Sequence, residues 1–175
     1  MTWNAFHHRG EILRTVIETA DERRDGQLPM DVPGVTATFR DELDLIAALT
    51  LKWHARLSGH IEREMMSQPM DLEMAVMRAW RAATDDLPGI RMIIDHYSEF
   101  PTDAAMADVL VKVHEKEWMR LAAAAGLSND ESPAAADAGH RLETRARLSE
   151  VAEVEAEKVV EQTSFVDRIK AVLAA

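Results

Sequence analysis

Apolar residues recur along this chain at intervals of three and four almost from end to end, the spacing that gathers side chains on one face of an α-helix. From Trp3 to about Arg24 the stripe is Phe6, Leu13, Val16, Ile17 and Ala20, and Gly26 is a natural stop. The stretch Gln27-Leu-Pro-Met-Asp-Val-Pro-Gly34 holds two prolines and a glycine. That composition predicts a loop of about ten residues with its flanks, longer than the usual bundle connection of about 2 to 8 and placed to lie over the bundle end. A second helix is expected from about Ala37 to Ser67, with Phe39, Leu43, Ile46, Leu49, Trp53, Leu57 and Ile61 on one face.

After Gln68-Pro69 the stripe resumes with Leu72, Val76, Ala79, Trp80 and Ala83 until Leu87-Pro88-Gly89, where the proline suits the first turn of a new helix. That next helix carries Ile90, Ile93, Ile94 and Tyr97 as far as Phe100-Pro101. Thr102 and Asp103 then offer a cap for a further helix through Ala125, ended by Gly126. Ser132-Pro133 opens the last element, which from Ser132 to Ala175 reads as one amphipathic helix of more than forty residues, with Gly139 the one interior residue that could interrupt it. An ordinary helix is about 11 to 12 residues long, so such a helix needs a surface along much of its length. No segment alternates with period two, and no internal repeat is found.

The pattern therefore predicts an all-α helical bundle of five or six helices. Residues 1–130 form its core, and residues 131–175 form a long C-terminal helix packed on that core or on a second subunit, within a single domain. Composition agrees: 175 residues, 47% hydrophobic and 29% charged, suit one folded domain. Aromatic residues make up only 5% beside 10 methionines, which predicts a core of aliphatic side chains and thioethers. Trp3, Trp53, Trp80 and Trp118 fall on different helices and are expected to line a shared core.

The net charge of -11 repels phosphate backbones, so nucleic acid is not an expected partner. The absence of cysteine removes disulfides, thiolate metal sites and a cysteine nucleophile. The opening residues hold no apolar leader-like stretch, and no run nears the roughly 20 apolar residues of a membrane span. A cytoplasmic location and no membrane association are the expectation.

Bundles commonly hold metals between helices with inward histidines and carboxylates, so each histidine with an acid one turn away is a candidate. His60 with Glu64, His96 with Glu99 and His114 with Glu117 are those pairs, the basis for a di-iron or hemerythrin-like alternative carrying iron or another transition metal. The order argues against it. A ferritin-like site needs Glu-x-x-His twice, and only His140 has an acid three places earlier, Asp137. His7 and His8 are adjacent, about 100° apart on a helix, which does not suit a hemerythrin-like set. Both His60–Glu64 and His114–Glu117 are better read as core-edge histidines and surface supports.

No Gly-x-Ser-x-Gly elbow, phosphate-binding glycine loop or His-Glu-x-x-His helix occurs, so catalytic residues are not assigned. The basic stretch His140–Arg147 has Glu143 four residues before Arg147 and reads as a solvated helix face. Beyond it Glu150, Glu153, Glu157 and Glu161 form an acidic ridge, a candidate partner-binding face. The function this pattern supports is a non-enzymatic binding or assembly module without a cofactor, homodimeric through its long last helix. The alternatives are the metal-binding bundle and an acidic immunity- or antitoxin-like protein whose ridge meets a basic protein partner.

Overall fold

The computed structural model of the chain describes residues 3–149, with side chains from His8 onward. Its described residues are helical without strands: α1 (Trp3–Arg23), α2 (Val35–Thr38), α3 (Glu42–Met66), α4 (Leu72–Asp86), α5 (Pro88–Glu99), α6 (Ala104–Ala124) and α7 over residues 133–149. The helical bundle expected from the stripe is thus present, with seven helices because the second one is divided. Phe39 is extended (φ -110, ψ 135) and buried, and Asp41 caps α3 by accepting the Asp44 N–H at 2.7 Å. A strong cap stops a helix from running through it, and the single turn α2 is what remains upstream.

The central pair is α3 and α4, packed antiparallel, with Glu64 meeting Arg78 and His60 meeting Asp86. Inside that pair Trp53 and Trp80 pack edge to face at 6.0 Å and are fully buried. Trp118 is half-buried, and the Trp3 side chain lies outside the description. α5 starts with Pro88 in its first turn, and its buried Gly89 N–H, which has no partner within the helix, is capped from another helix by Asp21 at 2.8 Å. The loop before α2 does more than cover an end: Leu28 and Val32 are buried, and the Leu28 N–H donates to the Tyr97 hydroxyl.

Two glycines let helices touch backbone to backbone. A Cβ at Gly89 would overlap the main chain of Ala20 and Asp21, and one at Gly139 would overlap the main chain of Trp118. Gly139 does not interrupt α7. It brings α7 against α6, and Ala135, Ala136, Leu142 and Ala146 bury themselves there. No helix among the described residues is long and apolar enough to cross a membrane.

Candidate functional site

The most polar part of the interior lies where α3 to α7 meet. Glu117, on the apolar stripe of α6, is 2% exposed. Its Oε2 accepts the Trp53 indole N–H at 2.9 Å and the His54 Nε2–H at 2.8 Å, while Oε1 faces Arg91 Nη1 at 3.7 Å. Burial opposes the charge on Glu117, but the His54 hydrogen bond and the Arg91 guanidinium outweigh it and hold the carboxyl below the ordinary range. Arg91 is itself buried, lies over the Trp53 ring at 4.9 Å, and donates through Nη2 to Asp95 at 2.7 Å.

Asp95 links this buried centre to α7. Arg147 reaches it with two hydrogen bonds, 2.9 and 2.8 Å, turns Nε to Glu143 at 3.0 Å, and lies over the Trp80 ring at 4.8 Å. Glu143 also accepts the Trp118 indole N–H at 2.6 Å. Burial acts against the charge on Asp95, yet the two guanidiniums prevail and lower its pKa; the same balance, with Asp95 and Glu143 prevailing, raises that of Arg147. Within the stretch from His140 to Arg147, His140, Arg141, Thr144 and Arg145 are exposed, as a solvated face would be, but Glu143 is 6% exposed and with Arg147 carries the helix contact.

His114 borders this network. Arg91 Nη2, 3.5 Å away, can only donate, so the ring nitrogen Nε2 accepts and the proton sits on Nδ1, aimed at Ser98 Oγ 3.5 Å away. The Ser98 proton is spent on the Ile94 carbonyl. Activating a serine requires the histidine to accept from the hydroxyl, so the polarity here is opposite to that of a nucleophile and its base. Burial, then the Arg91 charge, pushes the His114 pKa below its ordinary value.

The six candidate metal ligands occupy three separate places. His60 has both ring nitrogens engaged, donating to Asp86 at 2.8 Å and accepting from Arg63 at 2.7 Å, and Glu64 accepts from Arg78 at 2.8 Å. His96 accepts from the Gln27 amide at 3.0 Å and packs on Tyr97 and Phe100, while Glu99 is exposed at the end of α5. His114 and Glu117 share Arg91, a cation where a metal would compete. Among the described residues no three histidine or carboxylate side chains are grouped to hold a metal ion. Glu150, Glu153, Glu157 and Glu161 lie outside the described residues.

His54, Arg91, Asp95, Glu143 and Arg147 escape a search for acid–histidine spacing because their partners sit on other helices. One signal was present: Arg91 interrupts the run Gly-Ile-Arg-Met-Ile-Ile, and a cation among apolar neighbours demands a buried anion. Compared with known proteins, the chain matches no family model, no curated protein and no solved structure.

Proposed function

We propose that this protein is a non-enzymatic binding and assembly module that pairs with a second copy of itself through the face of α3 that carries Leu51. Leu51 is 71% exposed in the middle of a long helix, and that single observation carries the proposal. Apolar grooves flank it on both sides. One, of about 440 Å³, runs between α1 and α3 along Gly10, Leu13, Ala47 and Ala48. The other, of about 200 Å³, lies between α3 and α6 along Val109, Leu110 and Val113.

A protruding leucine beside a groove floored by glycine and alanine is a knob and a hole on one surface. A twofold axis across such a face seats each leucine in the other copy's groove, which is the self-complementarity an isologous dimer requires. The interior supports the non-enzymatic part of the reading: Asp95, Glu143 and Oε2 of Glu117 are bonded to partners within the fold, Oε1 of Glu117 is buried facing Arg91, and His114 has the wrong polarity to act as a base toward Ser98.

Sedimentation equilibrium over a wide concentration range tests this. The expected result is a dimer for the full chain and a monomer of unchanged helicity for Leu51→Arg. A full chain that stays monomeric would overturn the assembly role. A dimer that survives Leu51→Arg would remove this face from it.

A further inference from the structure

We propose that the cleft between α5, α6 and α7 binds a small organic cation, an alkyl- or arylammonium group, against Trp118. The cleft is about 400 Å³, within the size range of small-molecule sites, and is separate from the α3 face. Its wall is aromatic: His114 stacks on Trp118 at 5.8 Å with planes 22° apart, and His140 packs on the same indole at 4.5 Å. Close backbone approach at Gly139 is what seats the next residue, His140, on that ring. Val111, 58% exposed, adds an apolar rim.

Charge decides the class of ligand. Asp95, Glu115 and Glu143 line the cleft against one cation, Arg147, a balance of two negative charges from three minus one. Arg147 has all three guanidinium nitrogens committed to Asp95 and Glu143, so it is poorly placed to receive an anion. Glu115 is exposed and has no ion-pair or hydrogen-bond partner among the described residues. The Trp118 N–H is taken by Glu143, so the ring has no donor left for an anion, and the His114 and His140 rings packed on it extend the aromatic wall. A cation beside an indole and an exposed carboxylate gains from both; a carboxylate or phosphate ligand gains from neither. His114, held uncharged by burial and by Arg91, does not cancel the negative balance.

Benzyltrimethylammonium is the probe, titrated into the full chain by calorimetry and followed by tryptophan fluorescence, with benzyl alcohol and benzoate as the neutral and anionic comparisons. The cation is expected to saturate at about millimolar concentration or below, benzoate not to bind, and benzyl alcohol to bind about tenfold more weakly than the cation. Glu115→Gln, an exposed change that leaves the packing intact, weakens the cation by about two- to fivefold without altering benzyl alcohol. Trp118→Leu, checked for helicity by circular dichroism, weakens it by about tenfold or more. No saturable binding of the cation, equal binding of benzoate, or an affinity unmoved by Glu115→Gln would each overturn the proposal.

Discussion

Glu117 is a buried anion facing a buried cation, and its stability effect depends on which partner is removed. Taking both ions out of water is costly, so the Arg91–Glu117 pair adds little by itself compared with apolar side chains of the same volume. Deleting one partner is different, because it strands the other charge where water cannot reach: Arg91 already has Nε and Nη1 buried without a hydrogen-bond acceptor among the described residues. Glu117→Ala is therefore expected to lose about 3 to 5 kcal/mol in urea unfolding, and Arg91→Leu combined with Glu117→Leu to recover much of that loss. A Glu117→Ala protein within about 0.5 kcal/mol of the parent would mean that the pair is not desolvated. The Trp53 indole N–H and the His54 ring, both bonded to Glu117, lose their acceptor in the same variant, which places the effect at the upper part of that range.

Elements were legible in the sequence wherever a local signal ends them. Pro88 starts α5 in its first turn, Asp103 caps α6 by accepting the Met106 N–H at 2.8 Å, and Ser132 accepts from Ala135 at the start of α7. The break before α3 leaves no mark in the apolar stripe, which passes through Phe39 to Leu43 without a gap, while the deciding bond belongs to the Asp41 side chain. The site was harder to read than the helices. Its pairs, His54 with Glu117 and Asp95 with Arg147, are separated by 63 and 52 residues, a relation that periodicity does not encode. Gly139 shows the same limit: as a sequence feature it reads as a helix weakness, and in the fold it is the contact between α6 and α7. Helix propensity favours alanine over glycine by about 1 kcal/mol, so an exposed Gly139→Ala change would stabilise. Here the added Cβ overlaps the Trp118 main chain and separates the two helices. Gly139→Ala is expected to destabilise by more than about 2 kcal/mol and to expose α7 to limited proteolysis; stabilisation would show that the helices can separate without loss.

At the scale of the whole molecule, two kinds of group tie stability to pH, and their windows differ. The carboxyls of Asp44, beside Arg9, and of Asp86, beside His60, are lowered by those hydrogen bonds, as Asp95 is by Arg147 and Arg91 and Glu117 by His54 and Arg91. A carboxyl depressed by folding contributes stability above its unfolded pKa of about 4, and that contribution disappears as pH falls through the folded value. His114 is also depressed, by burial and Arg91, so the unfolded chain takes up its proton near pH 6.5 while the folded one refuses it. Its contribution is present above about pH 6.5 and declines as pH falls, at no more than about 1.4 kcal/mol per pH unit for one proton. An opposing effect acts as pH falls, because any proton taken up relieves the self-repulsion of a chain carrying -11. The comparison that separates them is between proteins at one pH: His114→Gln is expected to narrow the loss of urea midpoint between pH 7.5 and 5.5 relative to the parent. Below about pH 4, where several carboxyls take up protons together, the two curves should fall steeply in parallel. Identical behaviour of His114→Gln and the parent across the upper window would mean that the unfolded and folded states bind the His114 proton alike, and that the ring is reached by water despite its place between Arg91 and Trp118.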